Sequence, residues 1–75
     1  MRVLLAEDDT VLADGLCRSL RKSGYAVDWV STGSEADAAL TAQPYDLLIL
    51  DLGLPRMPGM DVLKRLRARE VHVPV

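Results

Sequence analysis

Two short apolar runs, Val3-Leu4-Leu5-Ala6 and Leu47-Leu48-Ile49-Leu50, constrain this chain more than any other feature. Each is continuous rather than alternating, the pattern of a parallel strand covered on both faces. Each also stops abruptly at acid: the first at Glu7-Asp8-Asp9, the second at Asp51, which is followed at once by Leu52-Gly53-Leu54-Pro55. In an open parallel sheet the carboxyl edge of the strands is where sites form. The two runs therefore predict neighbouring interior strands that deliver several carboxylates to one place.

Between and after these runs the period changes. From Thr10 to Ser23 apolar residues recur at Leu12, Leu16 and Leu20, with Arg18, Arg21 and Lys22 towards the end and Gly24 just past it. That spacing, basic last turn and glycine stop predict a helix, with Asp9 and Thr10 as candidate caps. Ala26 to Val30 reads as a second strand. Asp28 interrupts it and Trp29 is bulky, which places it at an edge. Thr32-Gly33-Ser34 opens a short helix running to about Ala42, with Ala36, Ala39 and Leu40 as its apolar side. Thr32/Glu35 and Ser34/Asp37 are its candidate capping pairs. Pro44 closes it. Met60, Leu63 and Leu66 predict a third helix ending near Arg69, and Val71-His72-Val73-Pro74-Val75 reads as the opening of a fourth strand.

The order strand, helix, strand, helix, strand, helix, strand predicts an α/β fold with right-handed crossovers and a parallel sheet. Because the continuously apolar strands should be interior, the expected order is two, one, three, with a further strand beyond three. A chain of 75 residues is small for such a domain, burying only about 60–65% of its unfolded surface. No repeat, low-complexity tract or linker divides it, so a single domain is expected, and an incomplete one.

Composition excludes several classes. A net charge of −2 is not the basic footprint of a chain built to coat nucleic acid. The single cysteine, Cys17, has no internal disulfide partner, and no charged-then-apolar leader precedes Val3, so a cytoplasmic protein is expected. Neither apolar run approaches the length of a membrane helix. Arg56, Lys64, Arg65, Arg67 and Arg69 form a local basic patch, read as a solvated helix face before a DNA or acidic-partner surface. His72 lacks His or Cys companions and is not read as a ligand. Met57 and Met60 are read as loop and core packing.

If the two apolar strands are neighbours, Glu7, Asp8 and Asp51 converge and repel one another. Either a proton is taken up or a cation binds, and a hard divalent ion with oxygen ligands suits the cluster. Mg²⁺ fits best, since it accepts one or two carboxylates, retained waters and a phosphate oxygen. With Mg²⁺ present, one carboxylate can act as a nucleophile on a phosphoryl group. Asp9 is read as a helix cap.

These residues resemble the receiver domains of bacterial two-component response regulators. The resemblance lies in the apolar first strand, the acidic pair Glu7-Asp8, an Asp ending strand three, and the pattern D-x-x-[LM]-P-x-[ML]-x-G, here Asp51-Leu52-Gly53-Leu54-Pro55-Arg56-Met57-Pro58-Gly59. It runs along the whole chain. The opening Met1 to Asp9 and the Asp51-to-Pro55 loop look most like the OmpR/PhoB type, in which a DNA-binding domain follows the receiver.

The resemblance implies a flavodoxin-like, doubly wound sheet in which Asp51 accepts a phosphoryl group from the phosphohistidine of a sensor histidine kinase. Asp8 and Asp51 would bind Mg²⁺ directly, Glu7 through a metal-bound water, and Gly53 through its backbone carbonyl. Family members also carry a Ser or Thr ending strand four and a Lys ending strand five, both beyond Val75. Residues 1–75 therefore look like the N-terminal portion of a receiver, with any DNA contact made by an absent C-terminal domain. An open edge on strand three makes self-association the expected state. Two other readings of the same acids fit less well. A haloacid dehalogenase-type phosphohydrolase needs a second acid where Gly53 stands, and a flavodoxin-type flavin site needs a phosphate loop where Glu7-Asp8-Asp9 would repel the phosphate.

Overall fold

The computed structural model describes residues 1–69 and 73–75. Three strands, β1 (Arg2–Ala6), β2 (Ala26–Val30) and β3 (Leu47–Leu50), alternate with three helices, α1 (Thr10–Lys22), α2 (Gly33–Ala42) and α3 (Gly59–Ala68). The strands form one parallel sheet in the order β2-β1-β3, the α/β topology expected from the two continuously apolar runs. The register sets Ala6 beside both Val30 and Leu50, so all three strands finish at one level. Val71 and His72 of the expected fourth strand lie outside the described residues. Of the rest, Val73 is buried, and the Pro74 carbonyl accepts the Leu48 N–H at 2.8 Å on the side of β3 away from β1. Residues 73–75 are not in strand conformation. They nevertheless lie where a fourth strand was expected, and they cover one backbone position of the edge expected to stand open.

The helix starts follow from their capping residues. Asp9, and not Thr10, caps α1, its Oδ1 accepting the N–H of Val11 at 3.0 Å and of Leu12 at 3.1 Å. At α2 the Thr32 hydroxyl accepts the Glu35 N–H and donates to the Glu35 carboxylate, both at 3.1 Å. The Ser34/Asp37 alternative fails because Asp37 faces α3 instead: its carboxylate takes Arg69 at 2.9 Å and Arg65 at 3.4 Å. Burial pushes the Asp37 carboxyl upward, but the two arginines outweigh it and hold the group below the usual carboxylate range. Arg67 in turn donates to the Val73 carbonyl at 3.3 Å. Three of the five residues read as a solvated basic face are thus tied to their own chain.

Two apolar clusters lie on opposite faces of the sheet. One joins Leu4, Ala6 and Leu48 to Ala36, Leu40, Leu54, Val62, Leu66 and Val73. The other joins Val3, Leu5 and Val27 to Ala13 and Cys17, with Leu16, Leu20, Leu47 and Ile49 partly buried around them. Both helix stripes differ from the expected ones. In α1 the contact runs through Ala13, Leu16, Cys17 and Leu20, while Leu12 is 50% exposed. Steps of four residues overshoot a 3.6-residue turn, so Leu12 drifts off the face that Leu16 and Leu20 share. In α3 the buried stripe is Gly59, Val62 and Leu66, whereas Met60 is 47% exposed and Leu63 half-buried. The rotation of α3 is set at Gly59, which is held against the β3–α3 loop.

A polar knot binds the amino ends of the strands. One oxygen of Asp28 accepts from Arg2 Nε at 3.1 Å, the Tyr45 hydroxyl at 2.7 Å and Gln43 Nε2 at 3.2 Å. The Tyr45 and Arg2 donors hold the Asp28 carboxyl below its usual range, while burial and the neighbouring carboxylate push the Tyr45 phenol up. The acid that seemed to interrupt β2 links that edge strand to β1 and to the residues leading into β3.

Candidate functional site

The register explains the site. Because Ala6 pairs with Leu50, the residues that follow leave the sheet side by side, and the Asp51 N–H donates to the Ala6 carbonyl at 3.0 Å. Glu7, Asp8 and Asp51 each place one carboxylate oxygen within 4.8 Å of the other two. Glu7 and Asp51 are half-buried and Asp8 is exposed. At such separations like charges repel by about 3–4 kcal/mol per pair at an effective dielectric of about 20. Asp9 is spent on the α1 cap, as read from the sequence. Three hard oxygen donors on short, well-held backbone match the donor set of a divalent cation such as Mg²⁺. Gly53 lies two residues beyond Asp51 in the adjoining turn, with its N–H on Asp51 Oδ1 at 3.0 Å. That bond sets the Asp51 carboxylate's orientation.

The loop from Asp51 to Pro58 is clamped from two sides. The Gly59 N–H donates to the Leu52 carbonyl, and the Gly33 N–H donates to the Pro55 carbonyl, both at 3.1 Å. A Cβ at Gly59 would sit 2.6 Å from both the Asp51 carbonyl oxygen and Leu52 Cα, and one at Gly33 would run into the Met57 carbonyl. Both helices therefore start with a residue that lets their first turn touch the loop backbone. Leu54 is buried below, Met57 packs half-buried on the same cluster, and Arg56 adopts a left-handed φ of 71°. The receiver-like pattern contains Gly59, but nothing in the spacing shows that its task is close approach to the backbone of Asp51.

A second feature was missed altogether. The Trp29 indole Nε1–H donates to the Glu7 carbonyl at 2.8 Å, and the Glu7 N–H donates to the Val30 carbonyl at 3.1 Å. The Glu7 carboxylate in turn accepts the Asp9 N–H at 3.1 Å. Glu7 is thus held at its N–H, its carbonyl and its side chain. A bulky aromatic at the end of an edge strand was the only available signal.

The sequence profile of the response regulator receiver domain matches residues 3–75. The chain belongs to this family. It is 49% identical over 75 residues to the response regulator protein PmrA of Pseudomonas aeruginosa, covering 100% of this chain and 34% of that protein. Among solved structures, the Francisella response regulator 1452 receiver domain superposes with a TM-score of 0.95 at 28% identity, covering 99% of this chain and 61% of that one. The receiver domain of the sensor histidine kinase PA1611 from P. aeruginosa, which carries a magnesium ion in its active-site cleft, superposes with a TM-score of 0.89 at 32% identity, covering 96% and 62%. The fold is the CheY-like doubly wound sheet expected from the motifs, and the curated relatives are regulators of the OmpR/PhoB type. This receiver chain spans about a third of the length of the curated relatives it matches. Among the described residues no helix is long and apolar enough to cross a membrane.

Proposed function

We propose that this receiver is a phosphoacceptor module in which Asp51 takes a phosphoryl group from the phosphohistidine of a sensor histidine kinase. The observation that carries this is the meeting of the Glu7, Asp8 and Asp51 carboxylates at the carboxyl ends of β1 and β3. An Asp51 oxygen attacks phosphorus as the donor's P–N bond breaks. The released imidazole keeps the electron pair and takes a proton, leaving an acyl phosphate on Asp51. Asp8 and Asp51 would hold Mg²⁺ directly, Glu7 through a water, and Gly53 through its carbonyl. Once bound, such an ion offsets the charge of the carboxylates and of the phosphoryl oxygens. Glu7 and Asp8 contribute the negative pocket that selects the cation, and the Gly53 N–H orients the nucleophile.

Residues 1–75 are then the N-terminal portion of a cytoplasmic receiver domain, and DNA binding belongs to an output domain of the parent regulator. The names of the relatives, regulators and transcriptional regulatory proteins, support that reading. Gly53 stands where a phosphohydrolase of the haloacid dehalogenase type would need its second acid, which disfavours turnover of a separate substrate. Self-association through the outer edge of β3 is proposed as well, beyond the Leu48–Pro74 bond. Sedimentation equilibrium at tens of micromolar checks it, a monomer mass refuting it.

Intact-mass analysis after incubation with Mg²⁺ and a small acyl-phosphate donor tests the main proposal. One phosphoryl adduct is expected on the chain and none on the Asp51→Asn variant. An adduct on both, or on neither, refutes Asp51 as the acceptor within these residues.

A further inference from the structure

We infer that Trp29 is a positioning residue for the cation site, its indole N–H holding the Glu7 carbonyl so that the Glu7-Asp8 pair stays turned towards Asp51. This role rests on the reading of the acidic cluster as a divalent-cation site.

The β1–β2 ladder ends with the Glu7 N–H on the Val30 carbonyl. Beyond that bond the Glu7–Asp8 peptide plane has left the sheet, and Asp8 is carried by whichever way that plane turns. Mutual repulsion among three carboxylates favours turning Asp8 away from Asp51. The Trp29 N–H takes the one backbone acceptor that defines the plane, at 2.8 Å. The ring belongs to neither buried cluster and is 42% exposed, so its packing contributes modestly to the core and its polar end is its distinctive contact. The α1 cap secures the far side of the same segment, because Asp9 both caps the helix and donates its N–H to Glu7. Trp29 therefore fixes from β2 what Asp9 fixes from α1.

The test is Mg²⁺ binding measured by calorimetry on the intact chain, with Mg²⁺ alone as the probe. Trp29→Phe keeps a ring and deletes the donor. Replacement of Trp29 by 3-benzothienylalanine deletes only the N–H and keeps the bicyclic shape. Loss of one such hydrogen bond should weaken Mg²⁺ binding about three- to tenfold in both. In the unmodified chain the indole N–H resonance, unique to this single tryptophan, should shift on Mg²⁺ titration with the calorimetric midpoint. If Trp29→Phe does not fold, the benzothienyl chain decides.

Affinities within twofold of the parent, with Asp8→Asn abolishing binding, would overturn the role of Trp29 while leaving the cation site standing. A fall in melting temperature without a change in affinity has the same meaning. No saturable binding by the parent chain would overturn the cation reading itself, and the role of Trp29 with it.

Discussion

Substituting Gly59 by alanine should destabilise this receiver, although glycine near a helix start ordinarily gains from that change. Removing glycine's freedom in the unfolded chain is worth about 0.4–1 kcal/mol of stability where the backbone is compatible. Here the new Cβ would lie 2.6 Å from the Asp51 carbonyl oxygen and from Leu52 Cα, both backbone atoms that cannot rotate aside. Overpacking of this kind costs about 1–3 kcal/mol, and separation of α3 from the loop would also strain the Gly59–Leu52 hydrogen bond. The net expectation is a loss of about 1–2 kcal/mol, or roughly 4–16 °C in melting temperature for a domain of this size. Gly15 in α1 is the internal control, since nothing lies within 4 Å of a Cβ there. Gly15→Ala should stabilise by up to about 1 kcal/mol. Urea and thermal unfolding of both variants give the signs. Equal stabilisation by the two substitutions would refute the claim that α3 is seated on the backbone of Asp51. Because the displaced atoms adjoin Asp51, Mg²⁺ affinity should fall in Gly59→Ala and remain unchanged in Gly15→Ala.

Other outcomes follow from the same packing and charges. Leu66 is 0% exposed beneath the sheet, so Leu66→Ala should cost about 2–5 kcal/mol, a large part of the stability of a chain this short, measurable by urea denaturation. Asp28 and Asp37 both have carboxyls held below the reference 3.8. The unfolded chain therefore binds more protons in the acidic window, and their contribution is complete above that reference and lost as pH falls through the lowered folded values. Urea midpoints should thus drop below about pH 4, and Asp28→Asn or Asp37→Asn should flatten that drop; an unchanged slope in both would contradict the linkage.

Much of the architecture was legible in the chain itself. Continuous apolar runs placed β1 and β3 side by side with β1 at the centre of the sheet, although β3 is an edge among the described residues, and their shared habit of ending in acid located the candidate site. The capping candidates were narrowed to two at each helix, and the structure chose Asp9 at α1 and the Thr32/Glu35 pair at α2, where Asp37 is engaged by Arg65 and Arg69. The helix stripes were displaced because a spacing of apolar residues states a period and not a phase. Phase depends on what the helix meets, as Gly59 shows by turning Val62 and Leu66 inward and Met60 outward.

The basic face of α3 went the same way. Charges near in sequence look like one exposed patch, and only the approach of α2 turned two of them into partners of Asp37. What the sequence alone determined was the alternation of elements, the strand order and the three acids that end β1 and β3, since these depend on local period and on polarity along the chain. Tertiary structure decided the support of those acids, with Trp29 on the Glu7 carbonyl and Gly33 and Gly59 against the loop, and at the other end of the sheet it set Tyr45 on Asp28. Each of these is a contact between elements, set by the register and distance at which two surfaces meet, and no one-dimensional pattern records a distance.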